Sequence, residues 1–162
     1  MPNNTTLTAT TPEEMLRVLK DSDYDTAIAL HVLGQSLGCK IEPKTGAKSY
    51  KVMYWVLKPK KRALFTIECS EKKWRVKANL FRIAAYQDNA QQAPEAVKAA
   101  IKKTRPCVLC NPGCAWHPAY ELDGERYLPC YGAGHYFSKL SKDDWVALMG
   151  LIALESGAHL VF

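Results

Sequence analysis

The first apolar positions of the chain recur with helical spacing. Thr11 can cap a helix, Pro12 suits its first position, and Glu14 completes a capping box, so a helix is predicted to begin here. A second helix is predicted from about Asp25 to Leu37, with Gly38 as its stop signal. The acidic stretch before Asp25 is interpreted as a break between the two helices.

The period then changes from helical to alternating. Three runs rich in aromatic and β-branched residues, Tyr50–Leu57, Arg62–Cys69 and Trp74–Leu80, are separated by short polar turns. Alternation of apolar and polar residues is typical of strands with one buried face. These runs therefore predict a three-stranded antiparallel meander.

The second half of the chain mixes helices with short strands. A polar connection is predicted at Gln87–Ala93 and a helix at Pro94–Lys103. A hairpin of Ala119–Leu122 and Arg126–Pro129 around Asp123-Gly124 follows, and then a short strand at Gly134–Phe137. The last helix is capped by Ser141, has Asp144 at its capping-box position and ends at Gly157. Strands and helices in this order predict an α+β fold with two layers, a mostly antiparallel sheet and helices packed on one face. We expect disorder in residues 1–10 and a single domain over residues 11–162.

The predicted core draws on both halves. Its members are Met15, Leu33, Val52, Phe65, Ile67, Trp74, Val76, Leu148 and Ile152.

The composition indicates a globular protein without a membrane span. The chain has 162 residues, of which 48% are hydrophobic, and no segment reaches the roughly 18 apolar residues that a membrane helix needs. The first residues carry neither a basic nor an apolar signal region, so we expect a cytoplasmic protein. In that compartment cysteines are more often metal ligands, redox groups or buried residues than disulfides.

The charge is concentrated in one region. The formal net charge is +6, and the segment from Lys40 to Arg82 contains thirteen Lys and Arg residues but only three Glu residues. Such a region can attract anionic ligands or nucleic acid, but a solvated outer sheet face explains it as well. Nucleic acid is not favoured, because Tyr54 and Trp74 are predicted to point inward rather than towards a bound base.

Cysteines cluster in one short part of the chain. The pattern C-x2-C-x3-C-x15-C brings together Cys107, Cys110, Cys114 and Cys130, with His117 and His135 as reserve ligands. Four thiolates suit zinc, and the Asn-Pro-Gly turn after Cys110 can direct Cys114 towards the same ion. The sequence therefore predicts a cysteine-ligated zinc site in a binding or sensing protein.

Two other interpretations stay open for the function. Cys107 and Cys110 can form a redox dithiol, although this pair follows a helix, whereas thioredoxin-type pairs precede one. Alternatively, the cysteines are simply buried, and an aromatic-lined pocket binds a small molecule. Its predicted lining is Tyr50, Tyr54, Trp55, Trp116, Tyr127 and Tyr136. No catalytic motif is present, so no catalytic residue is assigned and an enzyme is not favoured.

Three passages of the chain carry a resemblance to known proteins. They are the meander from Tyr54-Trp55 to Thr66-Ile67, the Cys107–Cys114 loop, and Tyr120–Gly124 with Tyr127, Cys130 and Ser141–Trp145. In these passages the chain resembles a family of uncharacterised small bacterial α+β proteins. The resemblance covers roughly two-thirds of the chain, from about Tyr50 to Glu155. It implies a compact two-layer fold and no particular activity.

Overall fold

The computed structural model describes residues 8–58, 61–104, 118–128 and 134–158. The chain divides into two compact units, residues 1–77 and 78–162. The elements of the first unit are α1 (Pro12–Leu16), α2 (Asp21–Ser36), β1 (Lys40–Thr45), β2 (Tyr50–Val56), β3 (Arg62–Cys69) and β4 (Trp74–Ala78), which ends at the boundary. The expectation of one domain stays a prediction, and residues 1–7 of the expected disordered segment lie outside the described residues.

The start of α1 follows its sequence signals. The Glu14 backbone N–H donates to Thr11 Oγ1 at 3.2 Å, and the Thr11 N–H donates to Glu14 Oε2 at 3.2 Å. This reciprocal pair is the predicted capping box.

The second helix begins four residues before its predicted start, at Asp21 rather than Asp25. Asp21 and Asp23 occupy its first turn, where the helix dipole favours acidic side chains. The acidic stretch is therefore the beginning of α2 rather than a break. Gly38 adopts a positive φ of 72° just after the helix, as its predicted role as a stop signal requires.

The meander has four strands rather than three, because β1 was not predicted. It pairs antiparallel with β2, Ile41 opposite Tyr54 and Lys44 opposite Lys51. Its sequence, KIEPKT, shows little alternation of apolar and polar residues and contains Pro43. The strand lies at the edge of the sheet, where proline is tolerated because no ladder hydrogen bond is needed on the open side.

One face of the meander lies against the helices. Tyr54 and Phe65 occupy opposite positions on β2 and β3, and their rings stack with centroids 4.2 Å apart. Tyr54 also contacts His31 of α2, so α2 covers this face. Of the predicted core residues, Leu33 and Trp74 are half-buried, whereas the other seven are buried.

The second unit contains a 3₁₀ turn (Ile83–Tyr86), α3 (Gln87–Gln91), α4 (Glu95–Lys102), β5 (Tyr120–Leu122), β6 (Glu125–Tyr127), β7 (His135–Phe137) and α5 (Lys142–Ala158). The prediction of a polar connection at Gln87–Ala93 is wrong, because α3 lies there. The β5–β6 hairpin is confirmed. Asp123 and Gly124 both have positive φ, 50° and 80°, as the predicted two-residue turn requires.

The last helix also follows its sequence signals. The Asp144 N–H donates to Ser141 Oγ at 3.2 Å, and Trp145, Leu148 and Ile152 are buried. Gly157 lies inside α5 rather than ending it. The α+β class is thus confirmed. Within the described residues, none of the helices is both long and apolar enough to cross a membrane.

Candidate metal centre and the polar clusters around it

Most of the predicted metal centre falls outside the part of the chain that the structure describes. Cys107, Cys110, Cys114, Cys130 and the reserve ligand His117 all lie there. In the ranges that the structure does describe, no three His, Cys, Asp or Glu side chains come together to hold a metal ion. The described residues form the framework from which these cysteines extend.

The hairpin turn of this framework is fixed to α4 by charge. Asp123 accepts hydrogen bonds from Lys98 Nζ at 2.9 Å, from Lys102 Nζ, and from Gln91 Nε2 at 2.7 Å. These three donors, Lys102 foremost, hold the pKa of Asp123 well below its usual range. The hydrogen bond to Asp123 raises the pKa of both lysines. Lys98 and Lys102 thereby bind α4 to the hairpin turn.

A second link joins the end of α4 to β7. His135 Nδ1 lies 2.6 Å from Thr104 Oγ1, and the histidine is buried. Burial lowers the pKa of His135 to about 4, although hydrogen bonds to the backbone of Leu80 and Ile101 oppose this shift. The imidazole is therefore neutral at pH 7. These contacts account for a buried histidine without a metal ion, and its role as a reserve ligand stays a prediction.

A buried carboxylate, Glu155, was not found from the sequence. Its oxygens accept hydrogen bonds from the backbone N–H of Phe81 at 3.1 Å, from that of Arg82 at 2.9 Å and from the Tyr86 hydroxyl at 2.6 Å. Glu155 thereby ties α5 to the residues around the 3₁₀ turn. The signal was present, because Glu155 lies three residues after Ile152 and so continues the buried stripe of α5.

The first unit contains a second polar network. His31 of α2 lies 2.9 Å from the Tyr54 hydroxyl through Nδ1 and 3.0 Å from Glu13 Oε1 through Nε2. Burial holds the pKa of Tyr54 far above its usual range, whereas a backbone hydrogen bond and then His31 lower that of Glu13. A carboxylate can only accept, so Nε2–H donates to Glu13. The network links α1, α2 and β2, and Tyr54 is fully buried within it.

The residues of the predicted aromatic pocket fall in both units. Tyr50 and Tyr54 are buried, Trp55 and Tyr127 are half-buried, Tyr136 is exposed, and Trp116 lies outside the described residues. The second unit has an open groove of about 400 Å³, lined by Gln87, Ala119, Tyr120, Glu121 and Arg126. None of these five was among the predicted lining residues. The aromatic pocket stays a prediction.

Comparison with known proteins assigns the chain to no class. The chain matched no protein-family model, no curated protein and no solved structure. The resemblance to small bacterial α+β proteins therefore stays a prediction.

Proposed function

We propose that the protein is a binding or sensing protein in which a zinc ion is held by four cysteines. The proposed ligands are Cys107, Cys110, Cys114 and Cys130. The observation that carries this proposal is that described contacts tie together the chain ends from which the cysteines extend.

Two of these ends meet at the end of α4. Cys107 follows Thr104 by three residues, so its Cα lies within about 11 Å of the Thr104 Cα. Thr104 in turn contacts His135, which follows Cys130 by five residues. The chain thus enters the cysteine region and leaves it at neighbouring points.

The other two ends meet at the hairpin. Tyr120 of β5 pairs with Tyr127 of β6, so the chain before β5 and the chain after β6 start side by side. Cys114 is six residues before Tyr120, and Cys130 is three residues after Tyr127, which limits them to about 21 Å and 11 Å from those residues. Convergence of the four sulfur atoms on one ion, each about 2.3 Å away, is compatible with these limits.

The chemistry of the donor set favours zinc in a structural role. Four thiolates fill a tetrahedral site and leave no open position for substrate. A catalytic zinc would need such a position and a general base. We therefore propose binding or sensing before catalysis.

Metal analysis of protein purified without chelator tests the proposal. We expect about one zinc per chain, as in single four-cysteine sites, and thiols at these positions that react only after the metal is removed. Cys110→Ser should lower the zinc content. Cys39→Ala is the matched control, because Cys39 is a half-buried free cysteine in the first unit, and it should leave the zinc content unchanged.

Two results would contradict the zinc site. Metal-free protein whose thiols react freely would favour the redox alternative at Cys107 and Cys110. Metal-free protein with inert thiols would favour simple burial of the cysteines, with ligand binding to be sought at the aromatic residues.

A further inference from the structure

The face of the meander opposite the helices carries exposed positive charge. Strand register places Lys44 directly opposite Lys51, and Lys51 opposite Glu68, which also binds Arg75 Nε at 2.7 Å. These four residues form a row across all four strands. Lys40, four residues before Lys44 on β1, lies on the same face because strand side chains alternate.

Five exposed cations define this surface, which is called the basic face: Lys40, Lys44, Lys51, Lys61 and Arg75. The side chains of Lys44, Lys51 and Arg75 are 61%, 54% and 51% exposed, so a ligand can reach them. Two carboxylates, Glu42 and Glu68, accompany them and leave a net charge of +3.

One pair within the basic face is unfavourable in the free protein. Lys44 and Lys51 are cross-strand neighbours, and like charges in this position destabilise a sheet. Lys44 Nζ lies 3.7 Å from Glu42 Oε1, and Lys51 Nζ lies 3.8 Å from Glu68 Oε1. Both ion pairs are long, so they compensate the repulsion between the two lysines only in part. An anion bound between the two lysines would relieve the repulsion.

An aromatic ring lies at the other end of the basic face. Trp55 is paired with Lys40, and the Lys61 ammonium lies 4.7 Å from the centre of its ring. From the sequence, Tyr54 and Trp74 were the candidates for stacking on a base, and both point to the other face of the meander. A stacked base contributes more than an exposed cation–π contact does. A base can therefore replace Lys61 over the indole while Lys61 moves to a phosphate.

We propose that the basic face binds single-stranded nucleic acid, with the lysines on phosphates and Trp55 stacked on a base. The row from Lys44 to Arg75 crosses four strands spaced about 4.8 Å apart, which is long enough for two or three phosphates of an extended strand. This combination of a basic track and an aromatic ring is typical of binding that tolerates many sequences.

An anionic membrane fits the basic face less well. A membrane-surface site combines cations with exposed apolar side chains that enter the lipid. In the described part of this unit, the large exposed apolar side chains are Val32 and Leu57. Val32 lies on α2, in the opposite layer, which leaves Leu57, just after β2, as the one large exposed apolar side chain near the basic face among the described residues of this unit.

Fluorescence anisotropy with a labelled oligothymidylate of about 20 nucleotides tests the proposal over a range of salt concentrations. We expect the logarithm of the association constant to fall linearly with the logarithm of the salt concentration, by about 0.7 for each phosphate contact. Lys44→Gln with Lys51→Gln should reduce this slope by about 1.4 and weaken binding at least about tenfold at low salt. This double variant should stay folded, because it removes a repulsive pair.

The matched control is Arg17→Gln with Lys20→Gln. Both residues are exposed in the helical layer of the same unit, and the pair removes the same charge. We expect an unchanged salt slope and a change in affinity of less than about threefold, since residues of the helical layer contact no phosphate of a strand bound to the basic face. Trp55→Leu should weaken binding about tenfold and leave the salt slope unchanged, because stacking is not an ion-pair contact.

Four results would overturn the proposal. They are no salt-dependent binding, an equal loss in the control pair, full binding by Trp55→Leu, and binding to vesicles of anionic lipid without binding to the oligonucleotide. Full binding by Trp55→Leu would point to a general polyanion site. Circular dichroism of each variant establishes that it is folded.

Discussion

Gly34 offers a sharp test of how α2 packs on the meander. It lies within α2 and is buried against β2. A Cβ atom at this position would lie 2.7 Å from Cε1 and 3.1 Å from Cγ of Tyr54, with Cδ1 closer still. Carbon atoms in ordinary contact are about 3.5–4.0 Å apart, so Gly34→Ala requires the ring to move by about 1 Å.

The Tyr54 ring has little room to move. It stacks on Phe65 with centroids 4.2 Å apart, and its hydroxyl lies 2.9 Å from His31 Nδ1. Overpacking costs about 1–3 kcal/mol. A stretched or broken Tyr54–His31 hydrogen bond leaves buried polar groups unsatisfied and costs about 1–3 kcal/mol more.

Helix propensity acts in the opposite direction. Alanine is better than glycine in a helix interior by about 1 kcal/mol. The net expectation for Gly34→Ala is a loss of about 1–5 kcal/mol in the free energy of unfolding. This corresponds to a Tm lower by about 2–20 °C for a protein of this size.

Urea denaturation and thermal unfolding measure the effect, with Gly150→Ala as the control. Gly150 lies in α5, and a Cβ added there would have no neighbour within 4 Å, so alanine should stabilise by about 0.5–1 kcal/mol. Gly34→Ala should also cost less in a Tyr54→Leu background, where the clash is relieved. If Gly34→Ala stabilises the protein as Gly150→Ala does, the close packing of α2 on β2 is wrong.

Two further predictions concern the second unit. Burial lowers the pKa of His135 from 6.5 to about 4. Between these two pH values the unfolded chain binds more protons than the folded protein does. The free energy of unfolding therefore falls by up to about 3 kcal/mol as the pH is lowered from 6.5 to 4. His135→Gln should remove this pH dependence in urea titrations, and an unchanged profile would contradict it. Glu155→Gln should lower the free energy of unfolding by about 2–3 kcal/mol at neutral pH in the same assay. The reason is that the amide NH₂ would face N–H and O–H donors from which the carboxylate now accepts hydrogen bonds. Exposed Glu121→Gln should change stability by less than about 0.5 kcal/mol, and an equal effect of the two would refute the buried acceptor.

Residues that act on their near neighbours along the chain were predictable. Thr11 and Glu14, the Asp123-Gly124 turn and the Ser141 cap each depend on contacts within a few residues, and all are present in the structure. The bounds of β3, Arg62–Cys69, match the predicted run, in which Phe65, Ile67 and Cys69 alternate with Thr66 and Glu68.

Strand β1 shows where local pattern is insufficient. KIEPKT has no strong strand signal of its own, and its conformation comes from pairing with β2 along an edge. The half-buried state of Leu33 and Trp74 likewise depends on what packs beside them, which periodicity does not specify.

The sequence by itself determined the α+β class, the helix caps, the hairpin turn and the spacing of the four cysteines, because each of these depends on residues that are close along the chain. Tertiary structure decided which distant polar groups meet: His31 with Tyr54, Asp123 with Lys98, and Glu155 with the Phe81 backbone. The partners in each pair are separated by more than twenty residues. Such pairs form because burial leaves a polar group no water to bind, so the fold must supply its partner from elsewhere in the chain.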